Sequence, residues 1–498
     1  MEYKIDTLNY LKISPDFSYA ASDNQNNNNF LNTITSTDTV THTTRTDIIN
    51  GSQANNSHSA SPSGGINVLY NHKFHKKNRN FSLNTGFSFN RNENELNSDY
   101  KTFNNAAVDS ILLQQITSTT AAQRSYANFS YTEPLGKTTY LEAQYNFNYN
   151  NNESERLNYR IDTATSQANY MDSLSSTYNF QFVTHRVGLN FRGITTKYNY
   201  TLGLAVQPST LSGEFRGNRL TTHTLNWIPT ARFVYNFERS RSFSMNYNGT
   251  NNQPSFVQLQ PQPDLSNPQN IVYGNPNLKP EFTNNLSFNY NQFDMQSGNS
   301  LFANVSFSQT SDRIVSNTKT TTLRDSSGAA KGRLRETRYL NTDGAYAANA
   351  NYTFSKPFSK RKYTVSLNGN VSYSNNLSFI EDQRNVSQNW VIMQGAKLRV
   401  DLDSIMDTEL TTNYTINSTN FSAPGFISSD AQTWVIGLDG RSYFFKRWTL
   451  GYSFSQTINQ GFSRTVKANP TILTSYIECQ FLKKNIASLR LQAFDILD

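Results

Sequence analysis

The residue types that most often carry chemistry are scattered along this chain. Of the six histidines, His72 and His75 flank a basic turn at Lys76, His185 lies beside Val183 and Val187, and His42, His58 and His223 fall in or near polar loops. Zinc needs three or four converging ligands, each oriented by further hydrogen bonds. No tight cluster of His, Cys and carboxylate offers that here. Asp401, Asp403 and Asp407 have the spacing of hard oxygen ligands for a calcium-like ion, but lack the glycine pivot and distal glutamate of a calcium loop, so a polar turn is expected. Cys479, between Ile477 and Phe481 on the apolar parity, reads as a small lipid-facing hydrophobe rather than a nucleophile. Serine is abundant, yet nothing resembles the strained Gly-x-Ser-x-Gly elbow of a hydrolase. No catalytic, metal or cofactor residue is assigned, and no enzyme is expected. Phe256, Phe421, Phe426 and Phe462 could stack on sugars or other ligands from outside, but the expectation is that they pack on one another to order the loops.

Composition limits what could position any such groups. The 498 residues are 36% hydrophobic and 13% aromatic, with mean hydropathy −0.63, and no run approaches the roughly 20 apolar residues of a membrane-spanning helix. The 28 Tyr, 33 Phe and 4 Trp argue against a disordered chain despite the Asn-rich stretch from Gln25 to Asn29. One cysteine excludes a disulfide framework. Helix signals are nearly absent, so the reading is all-β.

The decisive pattern has a period of two. Phe81, Leu83, Phe87 and Phe89 alternate with Ser82, Asn84, Gly86 and Ser88. The same alternation places Leu141, Ala143, Tyr145, Phe147 and Tyr149 on one face, and then Phe282, Leu286, Phe288 and Tyr290. Leu301, Val305 and Phe307 repeat it, as do Tyr363, Val365, Leu367, Val371 and Tyr373, and Trp448, Leu450, Tyr452 and Phe454. Many of these segments reach the 10 or so residues that cross a bilayer at a tilt, against about 5 to 6 in a soluble sandwich strand. The Asn, Ser, Thr and Gln of the other face suit a wet lumen.

Connections alternate between short and long. Short ones fall at Lys76 to Arg79, Pro134 to Lys137, Ile194 to Lys197, Glu238 to Arg241, Asp294 to Asn299, Lys356 to Arg361, Asp403 to Asp407, Phe445 to Trp448 and Lys483 to Asn485. Long polar loops are expected at 91 to 119, 151 to 176, 207 to 221, 251 to 280, 376 to 386, 419 to 430 and 461 to 470. Short turns face the periplasm in outer-membrane barrels. The expectation is a large antiparallel transmembrane β-barrel, with about 18 to 20 strands here out of about 22, the least clear strands being those in 30 to 50 and 311 to 340.

Net charge is +8 and the pI about 9.2, which raises nucleic acid as a partner. The cations gather instead at the short turns: Lys73, Lys76, Lys77 and Arg79; Arg239 and Arg241; Lys356, Lys360, Arg361 and Lys362; Lys446 and Arg447; Lys483 and Lys484. A ring at one end of a barrel suits lipid phosphates, not a nucleic-acid groove. Outer-membrane lipids are the expected partner, and nucleic acid is not.

One run of residues stands apart. Gly274, Asn275, Pro276, Asn277, Leu278, Lys279, Pro280 and Glu281 follow Tyr273 and lead straight into an alternating strand. Pro276 and Pro280 fix φ and remove two donors, which forces an extended entry, while Gly274 and Asn275 tolerate the turn before it. By parity the run lies at the outer end of a descending strand, where Lys279 or Glu281 could pair with neighbours. A structural loop-to-strand junction is expected there, rather than a substrate contact.

This run resembles the asparagine-proline-x-leucine-lysine-proline-glutamate signature of TonB-dependent receptors. The Pro-rich approach from Gln253 and Pro254 through Pro261 to Pro268, and the close from Leu491 to Asp498, resemble the Bacteroidetes outer-membrane barrel group. The resemblance implies a plug, a segment contacting TonB, and energised uptake of a nutrient bound at the outer loops. Met1 to Asp6 carry no secretory signal, and the chain stops without a terminal aromatic residue. The expectation is therefore one barrel domain over 1–498, truncated at both ends, with signal peptide and plug absent. A non-transporting surface barrel or adhesin, or a passive porin, are the alternatives.

Overall fold

Alternating large apolar and small polar side chains give a strand two unlike faces, and the computed structural model joins such strands into one 24-stranded sheet. It describes residues 1–37, 44–104, 107–215, 217–260, 263, 270–324, 330–445, 447–461, 469–481 and 486–497. The first strands are β1 (Glu2–Lys4), β2 (Asn9–Thr37), β3 (Thr44–Lys73), β4 (Asn80–Asn104), β5 (Ala107–Pro134), β6 (Thr139–Ile161), β7 (Ala168–Tyr170) and β8 (Ser176–Ile194). Next come β9 (Tyr198–Phe215), β10 (Asn218–Glu238), β11 (Arg241–Asn252), a single helical turn α1 (Phe256–Leu259), β12 (Asn270–Tyr273), β13 (Glu281–Phe293), β14 (Ser300–Ser311), β15 (Arg313–Arg324) and β16 (Ala330–Thr342). The last are β17 (Ala345–Phe358), β18 (Tyr363–Ile380), β19 (Gln383–Asp401), β20 (Met406–Phe421), β21 (Ser429–Phe444), β22 (Trp448–Gln460), β23 (Thr471–Phe481) and β24 (Ala487–Ala493).

Each wall strand runs antiparallel to the next, with β6 pairing β8, β11 pairing β13 and β14 pairing β17. Leaving β7, β12, β15 and β16 aside, the run from β1 to β24 falls within the expected 18 to 20 strands. The register carries the two faces unbroken around the wall. Phe129, Tyr145, Val187 and Val206 are successive cross-strand partners on β5, β6, β8 and β9. Asn84, Asn128, Asn146 and Arg186 form a row of the opposite parity. Leu202, Leu204 and Trp227 on the apolar face are 57, 51 and 61% exposed, an area of apolar surface that hydrocarbon must cover. Among the described residues the interior holds only small clusters, so the continuous ladder of backbone hydrogen bonds from β1 to β24 carries the stability. Where a wall strand has a glycine, a ring can fill the gap: Tyr126 is the register partner of Gly86 and its ring lies 2.8 Å from where a Cβ would stand.

Several expected loops are strand. The stretch 91 to 119 is the far part of the β4–β5 hairpin, paired as far as Asn104 and Ala107, and 207 to 221 and 376 to 386 lie in the β9–β10 and β18–β19 hairpins. β6 likewise continues to Ile161 inside the expected loop from 151. Polar composition suggested loops, but above the lipid both faces of a hairpin meet water, so it can be polar throughout while its backbone groups stay paired. Of the Thr-rich stretch before residue 50, the described residues lie in β2 and β3, whose register pairs Thr37 with Thr44. At the other end, the turns 135–138, 195–197 and 239–240 are short. Lys356, expected in a turn, is the twelfth residue of β17, and its turn begins after Phe358. At this end Arg79 lies 5.9 Å over Phe74, Arg241 4.9 Å over Phe237 and Lys356 5.2 Å over Phe358. Expected sites at His42, Phe462, Lys446, Lys483 and Lys484 lie outside the described residues.

The described residues of the region 311 to 340 form a bent hairpin. β14–β17 and β15–β16 share one register, continuing from Thr310 opposite Ala345 to Arg313 opposite Thr342. The bend is made by Asp312 at φ 49° and Gly344 at φ 110°, values that favour glycine or a short polar residue. Above it β15 pairs parallel with β18 and β16 parallel with β12. That order is the reverse of β14 and β17 below, so the hairpin turns over at the bend.

Candidate functional site

The run Gly274 to Glu281 closes the connection from β11 to β13, at the end of the barrel opposite the short turns. Its approach, β12, lies against β16, with Arg338 stacked 4.4 Å over the ring of Tyr273. Gly274 is required by close approach, because a Cβ there would collide with the backbone of Gln260. The Asn275 backbone N–H donates to the Gln258 carbonyl at 2.6 Å, and its side-chain amide donates to the Tyr339 carbonyl at 3.0 Å. The Asn275 side-chain oxygen accepts from the Asn277 N–H at 3.0 Å, which closes the turn before Leu278.

Leu278 is buried with Leu211 and Leu259, and Phe180, Phe182, Leu220, Ile314 and Tyr339 pack around them. Phe180, Phe182, Leu211 and Leu220 occupy the lumenal parity of β8, β9 and β10. In the strap from Gln253 to Pro280, the described parts that carry Leu259 and Leu278 therefore lie against the inside of the wall. Lys279 is held through its backbone: its N–H donates to the Asn341 side-chain oxygen at 2.8 Å, and its carbonyl accepts from the Asn341 amide at 2.9 Å. The same amide reaches the Asp312 carbonyl at the bend, at 2.7 Å. A Glu281 carboxylate oxygen accepts from the Ile314 N–H at 2.8 Å. Pro276 and Pro280 have no N–H to leave unsatisfied in this crowded junction.

A second feature is electrostatic. On the lumenal parity of β19 to β24, Lys397 pairs with Glu409 at 2.7 Å, and Arg399 with Asp407 at 3.0 Å and Asp401 at 3.4 Å. Arg441 approaches Asp407 at 3.7 Å, and Arg490 pairs with Glu478 at 2.6 Å. Asp401 and Asp407 thus belong to a lattice of ion pairs, while Asp403 sits in the turn at φ 46°. No one of these residues marks the lattice. Their common parity across successive strands was the signal available in the sequence.

The other candidates do not converge. His72 bonds Asn9, His58 bonds Asp23, His185 bonds the Tyr145 hydroxyl and His223 bonds Thr210. Among the described residues no three of His, Cys, Asp and Glu come together as a metal site. Cys479 faces the apolar side opposite Trp448. Phe421 and Phe426 pack on each other at 5.3 Å.

Long alternating strands, an apolar outer belt, a polar lumen and short turns at one end define an integral outer-membrane β-barrel. The chain belongs to the Outer membrane protein beta-barrel family, whose model matches residues 72–490. Among solved structures it is similar to the FrpB iron transporter from Neisseria meningitidis, at 11% identity and TM-score 0.43, over 91% of this chain and 77% of that one. It is similar also to the copper transporter OprC, at 10% identity and TM-score 0.45, over 94% and 74% of the two chains. A third is the siderophore receptor PirA from Acinetobacter baumannii, at 11% identity and TM-score 0.39, over 89% and 78%. No curated protein sequence matches the chain.

Proposed function

We propose that this chain is the barrel wall of a TonB-dependent receptor that binds a nutrient outside the cell and, with a plug supplied by sequence outside residues 1–498, imports it. The observation that carries the reading is the strap from Gln253 to Pro280. It bears the signature Gly274 to Glu281 and packs through Leu259 and Leu278 on lumenal residues. In this reading the signature is a structural junction that fixes the rim, not a ligand contact. The short turns face the periplasm, and their cations meet phospholipid headgroups.

The test begins with the reading frame upstream of Met1, which should encode a plug and a segment able to contact TonB. A strain lacking the gene should then lose growth on the limiting nutrient, and collapse of the proton-motive force should stop uptake by the wild type. Uptake that survives such collapse would overturn the energised mechanism. A surface barrel that binds without transport is the second reading. It is favoured by β2 to β5, which run 25 to 30 residues, far beyond the 9 to 11 or so that cross a bilayer.

A further inference from the structure

The two faces of the β15–β16 hairpin treat their cations differently. On one face Lys319 pairs with Asp382 at 2.5 Å, and Arg338 lies 3.9 Å from Glu336 and over Tyr273. Those cations are all used inside the protein. On the other face the register sets Arg333 opposite Thr322, Arg335 opposite Thr320 and Thr337 opposite Thr318. Arg333 and Arg335 are exposed, and among the described residues neither is in an ion pair. Among the described residues the Arg335 guanidinium reaches the Thr318 hydroxyl alone, at 3.5 Å. Glu381, beside this strand, is engaged by the Thr320 backbone N–H at 2.7 Å. Tyr339, which shares the face, is packed into the Leu259–Leu278 cluster.

What remains among the described residues is a pair of guanidiniums with no ionic partner, about 7 Å apart along the strand, set among threonine hydroxyls and without an exposed ring. We propose that this face binds an anionic polysaccharide. Its sulfate, phosphate or carboxylate groups accept paired N–H bonds from Arg333 and Arg335, and the Thr320 and Thr322 hydroxyls bond to sugar hydroxyls. Single-strand nucleic acid would require stacking platforms that this face lacks. The proposal rests on the orientation given above, which puts the hairpin outside the cell, and not on import.

The full chain in lipid nanodiscs is titrated with dextran sulfate, with neutral dextran and with a single-stranded oligonucleotide of matched charge. Dextran sulfate should bind tightly, neutral dextran should not, and the oligonucleotide should bind more weakly. Replacement of each arginine, in R333Q and R335Q, should weaken dextran sulfate binding about tenfold. R333K and R335K should weaken it less, and K319Q, whose cation is already paired, should leave it unchanged. Unaltered binding by the glutamine variants, an equal loss in K319Q, or equal affinity for dextran or the oligonucleotide would overturn the proposal. Retained heat-dependent electrophoretic mobility shows that each variant still folds. A barrel that imports but does not bind dextran sulfate refutes only this inference, and one that binds without importing refutes only the receptor reading.

Discussion

Replacing Phe288 by arginine tests the assignment of the two faces directly. Phe288 lies five residues before Phe293, the end of β13 at the short-turn rim. At about 3.4 Å per residue and a strand tilt of about 40°, its Cα stands about 13 Å above that rim, near the middle of an apolar band about 25 Å tall. A guanidinium at that depth costs about 2 to 4 kcal/mol. Loss of the stack between Phe288 and Phe243, whose centroids are 6.2 Å apart, adds about 0.5 to 1.5 kcal/mol. Phe288→Ala removes the ring without adding charge, so the difference between the two variants isolates the cost of the cation. Ser287→Arg, one residue away on the lumenal parity opposite Asn246 and Ser306, should cost under about 1 kcal/mol, because its side chain meets water. Urea unfolding in lipid vesicles, followed by the fluorescence of the four tryptophans, measures all three. Equal losses for Phe288→Arg and Ser287→Arg would refute the lipid-out, water-in assignment.

Asn341→Ala should remove the bonds to the Lys279 N–H and carbonyl and to the Asp312 carbonyl, at about 0.5 to 1.5 kcal/mol each because water can replace the exposed ones; hydrogen exchange should quicken at residues 275–281 while the wall strands stay protected. Gly86→Ala should destabilise the barrel by about 1 to 3 kcal/mol through collision with the Tyr126 ring, and Tyr126→Ala in the same chain should recover part of that loss in urea titrations. The Lys319 ammonium and the Asn317 amide hold the Asp382 carboxyl below its ordinary range. Because the folded value is the lower one, this tie of β15 to the β18–β19 turn is fully present above about pH 4 and is lost as pH falls through the depressed value. Hydrogen exchange in β15 should therefore quicken only below pH 4, and Asp382→Asn should remove that step; loosening already at pH 6 would contradict the assignment.

The wall was legible because lipid on one side and water on the other impose a period of two that survives in any single strand, as in Leu141 to Tyr149. The hairpin extensions were not. Glu93, Asn94 and Glu95 look like loop residues, and only the partner strand shows that their backbone is paired. The junction at Gly274 to Glu281 could be read from its prolines, but what fixes it could not. Asn341 and Tyr339 lie more than 60 residues away, and Asn341 is one of many asparagines with nothing local to single it out. The ion-pair lattice of β19 to β24 lay between these cases, visible as shared parity once the strand order was known.

The common register on both sides of the bend at Asp312 and Gly344 constrains how this hairpin can vary between relatives. Residues gained or lost in matched pairs on β15 and β16 would change its reach without disturbing the strands in the membrane. A single-residue insertion in one strand would invert every side chain beyond it and trade the arginine and threonine row for the paired one. Length should therefore drift in even steps, and the hairpin can be exchanged as a cassette, with Asp312 and Gly344 as its natural joints.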